Sequence, residues 1–194
     1  MNHFSNFIKN IIYSIENLEQ TKLDDIVKAL FKCRVEKGRL FILGVGGSCA
    51  NASHAVNDFR KIAGIQAFSP FDNISELTAR INDEGWEQAI KNYLECSGLS
   101  KSDCVLFLSV GGGCLQNNVS VNLINACKHA RQIGATVLSI TGRKSGFLAK
   151  NSDISLVVSV LEKTMLTPVA ESMQSAILHL IVSHPKIQIK DTKW

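Results

Sequence analysis

The stretch Arg39-Leu40-Phe41-Ile42-Leu43-Gly44-Val45-Gly46-Gly47-Ser48 decides the fold. A short apolar run that ends in a glycine-rich turn reads as a strand buried on both faces. The residues that follow, Ser48 to Ala63 (SCANASHAVNDFRKIA), read as a helix. Strand, glycine turn and helix in that order make one unit of a parallel sheet. The same grammar recurs downstream. Asp103 to Leu108 meets Ser109-Val110-Gly111-Gly112-Gly113, and a helical run from Val119 to Ile133 closes at Gly134. Ala135 to Ile140 meets Thr141-Gly142-Arg143-Lys144-Ser145-Gly146, and Ile154 to Val160 is a further strand with a long helix after it. A brief strand near Ile65 to Phe68 and helices around Ser75 to Ile81 and Glu84 to Leu94 fill the interval. The expected fold class is therefore α/β, a parallel sheet covered by helices on both faces.

Upstream of Arg39 the pattern is purely helical. Phe4, Phe7, Ile8, Ile11, Ile12 and Ile15 follow the spacing of an amphipathic helix. Asp24 to Glu36 predicts a second helix with Ile26, Ala29, Leu30 and Cys33 on one face and Gly38 as its stop. Residues 1–37 thus form a helical extension whose apolar faces bury against the 38–194 core or against another copy of the chain. A length of 194 residues suits one domain, 1–194, better than two. With 45% apolar and 20% charged residues and only 3 prolines, disordered and collagen-like readings are excluded. The balance of 21 basic against 17 acidic residues leaves +4, too little to imply a nucleic-acid partner. No run of 18 apolar residues occurs, so no membrane partner is expected. Six cysteines without a C-x-x-C pair, behind an N-terminus unlike a secretory signal, predict reduced thiols and a cytoplasmic location.

In open parallel sheets ligands bind beyond the carboxyl ends of the strands, where loops and helix N-termini offer backbone N–H groups to anions. Three loops qualify here. Gly44 to Ser48 permits close backbone approach, with Ser48 able to cap the next helix and donate to a ligand. Ser109 to Gly113 precedes a helix bearing Asn117 and Asn118, and Thr141 to Gly146 adds two positive charges. Glycines that merely allow tight turns explain one such loop as well as a ligand does; three in register favour a ligand. Neither G-x-x-x-x-G-K-[ST] nor G-x-G-x-x-G occurs, so a small phosphorylated metabolite fits better than a nucleotide. The expected substrate-binding residues are Gly46, Gly47, Ser48, Ser109, Gly111, Gly112 and Gly113.

Four polar residues carry chemistry. His54 and Asp58 lie four apart on one helix face, and Glu171 and His179 lie eight apart on roughly one face of the Pro168 to Ser183 helix. Taken alone, His179 reads as a core or interface histidine. Taken as four, two imidazoles and two carboxylates suit zinc, and they equally suit acid/base chemistry on adjacent carbons of a sugar. His184 reads as a helix C-terminal cap, and His3 and His129 as solvent-facing residues without a role.

These segments together resemble the sugar isomerase (SIS) domain, and more closely its phosphoheptose isomerase branch. The resemblance runs over nearly the whole chain and is carried by NASHAVNDFRKIAG (51–64), SELTARINDEGW (75–86), SVGGG (109–113), Thr141-Gly142-Arg143 and the Glu171/His179 helix. It implies a flavodoxin-like sheet in three layers, a homotetramer with active sites between subunits, and ketose to aldose conversion of sedoheptulose 7-phosphate through an enediol. It implies Asp58 as base and His179 as acid. It also implies zinc on His54, Asp58, Glu171 and His179, with Glu171, Ser48 and Asp83 as substrate contacts. The chain departs from the pattern at Val45, where an Asn is usual, and in the Ser109 loop, which has lost several hydroxyls. Asp58 replaces a Glu, and Glu171 replaces a Gln, adding a charge that favours a cation. A non-catalytic SIS tetramer that binds a sugar phosphate or a protein, or an isomerase of another phosphosugar, are the competing readings.

Overall fold

The computed structural model describes residues 2–191; Thr192, Lys193 and Trp194 of the C-terminal tail lie outside the described residues. In chain order the elements are α1 (His3–Glu16), α2 (Gln20–Val35), β1 (Arg39–Leu43), α3 (Gly47–Lys61), β2 (Gln66–Phe68), α4 (Ile74–Glu84) and α5 (Trp86–Cys96). Then come β3 (Cys104–Ser109), α6 (Val121–Ile133), β4 (Thr136–Thr141), α7 (Phe147–Asn151), β5 (Ile154–Val157), a 3-10 turn (Lys163–Met165) and α8 (Leu166–Val182).

The five strands form one sheet in the order β2-β1-β3-β4-β5. Every neighbouring pair is parallel, with Leu40 opposite Cys104 and Cys104 opposite Thr136. Because strand side chains alternate, the central strands β1, β3 and β4 each feed two cores. Leu40, Ile42, Leu106, Leu138 and Ile140 join α2, α3 and α8 on one face. Phe41, Leu43, Val105, Phe107 and Val137 join α5, α6 and α7 on the other. The expected α/β class and its two covered faces are thus observed.

The helical extension divides. α2 belongs to the first core through Ile26, Val27, Leu30 and Cys33, all buried. α1 packs on that core through Phe7 and Ile11, yet it leaves Phe4, Ile8, Ile12 and Ile15 largely exposed. Two buried polar residues fix it in place. Asn10 Oδ1 accepts from the Leu161 and Glu162 N–H groups, and Ser14 Oγ donates to the Ser159 carbonyl.

Several local expectations need correction. α2 begins at Gln20 and is stopped by Lys37, not Gly38. Lys37 takes the left-handed conformation (φ 57°), its N–H meets Arg34 O at 3.1 Å, and the Gly38 N–H reaches Cys33 O at 2.8 Å. Gly38 is needed for a different reason: a Cβ there would overlap the Ser102 carbonyl. α6 begins at Val121, because Cys114 and Val119 exchange two backbone bonds and close a small hairpin that carries Asn117 and Asn118. The five-residue α7 has too little length for a helical period to show. His129 is half-buried, and burial pulls its imidazole below the usual range. The 163–182 stretch is long and apolar enough to cross a bilayer by length and composition, and half of that window is buried inside the fold.

The strand starts are tied together by Asp103, which is almost fully buried. Its carboxylate accepts from Arg39 N (2.8 Å), Arg39 Nη2 (2.8 Å), Ser100 N (2.8 Å) and Ser100 Oγ (3.0 Å). Burial alone would raise this carboxyl, but the bonds from Arg39 and Ser100 outweigh it and hold it below the ordinary carboxylate value. A depressed folded-state pKa means stability that is complete above the unfolded value of about 3.8 and lost as the pH falls through the folded one. Asp103→Ala is expected to lower unfolding free energy by about 3 kcal/mol in urea melts at pH 7. The deficit should shrink in melts taken at progressively lower pH below 4, as the Asp103 carboxylate takes up its proton in the folded state.

Candidate active site

α3 and α8 lie side by side on one face of the sheet and run in the same direction, so successive positions of one meet successive positions of the other. At the start, Gly47 leaves room for the Glu171 carboxylate, which a Cβ would overlap. One turn on, the Asn51 amide donates to Glu171 O (2.8 Å) and Gln174 Oε1 (3.3 Å). Buried Ala52 and Ala55 on α3 and Met173 and Ile177 on α8 belong to the core shared by the two helices. Two turns on, His54 and Asp58 meet His179.

That meeting is close. His54 Nε2 lies 2.9 Å from His179 Nε2. Asp58 Oδ2 is 3.2 Å from His54 Nε2 and 3.6 Å from His179 Nε2. The other carboxylate oxygen, Oδ1, accepts from Asn57 Nδ2 at 3.1 Å. The Asp58 side chain is 8% exposed, whereas His54 and His179 are 52% and 55% exposed. A cleft of about 500 Å³ opens beside the cluster, lined by Asp58, Ile62, Ala176, His179, Leu180 and Ser183 among others. One imidazole N–H can bridge to the other imidazole, but both rings then depend on opposite tautomers.

A divalent cation would satisfy all three groups at once. The ligand atoms of His54, Asp58 and His179 lie within 4.8 Å of one another. Their separations of 2.9, 3.2 and 3.6 Å bracket the about 3.3 Å between ligands of a tetrahedral zinc ion. Two nitrogens and one oxygen are a zinc donor set with a position left open. Glu171 does not join them. Eight residues of α8 separate it from His179, about 12 Å of helix rise, and its carboxylate sits at the N-terminal, electropositive end of α3.

The loops behave differently from their sequence reading. Gly46 (φ 64°), not Ser48, is the α3 N-cap, and Ser48 lies one residue inside the helix. Its Oγ is buried without a partner among the described residues, as are Thr141 Oγ1 and Gln174 Nε2. Ser109 is buried at the end of β3, where its Oγ accepts from the Gly112 N–H at 3.1 Å. Gly112 and Gly113 both have positive φ, and their carbonyls accept from Leu148 N (2.8 Å) and Phe147 N (3.0 Å). Their freedom serves the close approach of this loop to Gly146, whose absent Cβ would meet Gly111 O and Gly112 Cα. Gly111 faces open space. Asp83 lies on the exposed last turn of α4 and accepts from Asn82 Nδ2. His184 accepts from the Lys186 N–H and so caps the turn after α8. Sequence reading missed Asn51, whose role appears only once α8 is laid beside α3, and Asn57, which bonds the Asp58 carboxylate on its own helix.

A family model for the SIS domain matches residues 3–142. The phosphoheptose isomerase of Helicobacter pylori strain P12 is 28% identical over 173 residues, which cover 87% of this chain and 84% of that protein. The phosphoheptose isomerase of Sulfurimonas denitrificans is 31% identical over 156 residues, 78% of this chain and 76% of that protein. The solved phosphoheptose isomerase of Neisseria gonorrhoeae superposes with a TM-score of 0.78 at 23% identity, covering 92% of this chain and 93% of that one, which shows the shared fold.

The geometry predicts about one zinc per chain after equilibration with the metal and gel filtration, read by atomic absorption. His179→Ala is expected to reduce bound zinc to a trace. Glu171→Gln is expected to keep it, and loss of metal in that variant would place Glu171 among the ligands.

Proposed function

The chain belongs to the SIS domain family, in its phosphoheptose isomerase branch, and from that premise we propose that it is an aldose-ketose isomerase of a phosphorylated sugar. We take the substrate to be sedoheptulose 7-phosphate and the product D-glycero-D-manno-heptose 7-phosphate, made for bacterial surface polysaccharide. The observation that carries this reading is the approach of the Asp58 carboxylate to both His54 and His179 at 3.2 and 3.6 Å. The names of the curated relatives support the seven-carbon sugar.

Isomerisation moves one proton from C1 to C2 and a second from O1 to O2, through an enediol. A single carboxylate can serve both carbons, because they are adjacent and the proton leaves and returns on one side. Asp58 is built for this. Oδ2 faces the imidazoles while Oδ1 is steadied by Asn57, so the carboxylate is oriented before substrate arrives. His179 passes the proton between the oxygens as general acid and base. Zinc held by His54, Asp58 and His179 would supply Lewis-acid polarisation of those oxygens when bound. Glu171 and Ser48, at the N-terminal end of α3, are assigned to the hydroxyls of the sugar chain, with Gly46 and Gly47 lining their approach. Asp83, Ser109 and Gly111 to Gly113 complete the proposed substrate contacts.

Assembly as a homotetramer, with sites between subunits, fits two features. α1 presents Phe4, Ile8, Ile12 and Ile15 at 48–73% exposure, a stripe that calls for cover. The two imidazoles are likewise half open on a single chain. Six free cysteines fit a reducing, cytoplasmic setting. A sugar-phosphate-binding SIS tetramer without catalysis is the second reading, favoured by one observation: the Ser109 hydroxyl is spent inside its own loop.

The test is turnover of sedoheptulose 7-phosphate followed by NMR. Asp58→Asn, which keeps shape and removes the base, is expected to lower kcat about 10²- to 10⁴-fold. Unchanged turnover in that variant would remove Asp58 from the mechanism. Wild-type protein that binds the sugar without converting it would establish the second reading.

A further inference from the structure

Two of the six free cysteines meet inside the fold. Cys33 lies on the last turn of α2 and Cys104 opens β3, and each is 2% exposed. The contacts of their sulfurs converge. Cys104 Sγ is 3.9 Å from Ala29 O, the carbonyl one helical turn before Cys33 that accepts the Cys33 N–H. Cys33 Sγ is 3.5 Å from Arg39 O, and the next residue, Leu40, is the strand partner of Cys104. The two thiols hydrogen-bond to each other.

A buried cysteine is ordinarily a small, inert apolar residue. Two features set this pair apart. The sulfurs face one another across the contact between α2 and β3, and at hydrogen-bond distance they need little movement to reach the about 2.05 Å of a disulfide. The pair is also unequal. The bond from Cys104 holds the Cys33 thiol below its ordinary value despite burial, whereas Cys33 and burial together push Cys104 up. Cys33 is therefore the thiolate and the nucleophile of the two. Access comes through the turn above it. Val35, Glu36 and Lys37 are exposed, Gly38 places no side chain beside Cys33 Sγ, and local opening starts at helix ends.

We propose that Cys33 and Cys104 are a reversible oxidation site, joined by a hydroperoxide into a disulfide that clamps α2 to the start of β3. With hydrogen peroxide, the Cys33 thiolate attacks one oxygen, the O–O bond breaks, and the departing hydroxide takes up a proton as water. The Cys104 sulfur then gives up its proton and displaces the oxygen of the Cys33 sulfenic acid as a second water. Two thiols lose two electrons and two protons, and one peroxide becomes two waters. Because Cys104 is already in contact, it closes the bond before further peroxide carries Cys33 to the irreversible acids. The cross-link joins residues 71 apart, since 104 minus 33 is 71, and it restricts the unfolded chain accordingly. Neither Asp58 nor the imidazoles take part, so the site stands apart from the isomerase reading.

The test treats the reduced, folded full chain with a few equivalents of hydrogen peroxide, then blocks free thiols and maps the cysteines by digestion and mass spectrometry with fragmentation. A Cys33–Cys104 link that dithiothreitol removes is expected. The linked protein is expected to melt about 5 °C or more above the reduced one. Cys33→Ala and Cys104→Ala should each lose that rise. Wild-type protein without the link overturns the inference, as does a link from Cys33 to a different cysteine, Cys33 recovered as sulfinic acid, or a linked protein that melts no higher. These four outcomes are read on the wild type, so a variant that folds poorly leaves the test intact.

Discussion

Asp58 carries a carboxylate that is 8% exposed at the junction of two helices, and a charge placed there must be met by hydrogen bonds, cations or a proton. One partner, Asn57, comes from its own helix, and another, His54, from one turn earlier. The third, His179, comes from a helix 121 residues away in sequence, since 179 minus 58 is 121. The requirement therefore extends to everything that brings α8 against α3. Gly47 gives up its side chain to the Glu171 carboxylate, and Asn51 bonds across to Glu171 and Gln174. The sheet beneath fixes where each helix begins, and Asp103 fixes the strand starts by holding Arg39 and Ser100 together.

Much of this was legible in the chain itself. Apolar runs ending in glycine turns gave the strand count and the parallel arrangement, because a doubly buried strand leaves few other patterns. His54 and Asp58 were readable from helical spacing, and His179 from its place in an apolar helix. Glu171 was not, because residues eight apart share a face in angle while standing two turns apart in height. The packing of the loops was not legible for a related reason. Glycines at 112 and 113 look like a cradle for a ligand, but their positive φ values serve contact with α7. Nothing in a linear sequence says whether a free backbone will be met by a ligand or by another loop. The same holds for Asn10 and Ser14, polar interruptions of an amphipathic helix that pin α1 to residues 159–162.

The molecule thus separates two kinds of chemistry across its sheet. On the α3/α8 face, ionisable groups crowd together and share protons or a cation. On the α6/α7 face, Arg143 and Lys150 line a cleft with Gly111 and Gly113, and no carboxylate lines it among the described residues. A phosphorylated sugar needs both services, proton transfer at one end and charge neutralisation at the other. An assembly of several copies offers a way for one ligand to meet both faces, since α1 leaves an apolar stripe for another chain to cover.

In the proposed reaction Asp58 moves a proton between neighbouring carbons. Running the isomerisation of sedoheptulose 7-phosphate in deuterium oxide and reading the product by NMR tests it most directly. A carboxylate that exchanges with solvent while holding the proton predicts deuterium at C2 of the aldose. Product formed with no deuterium at C2, and formed equally fast by Asp58→Asn, would mean that hydrogen passes from C1 to C2 without Asp58, and would contradict its proposed role.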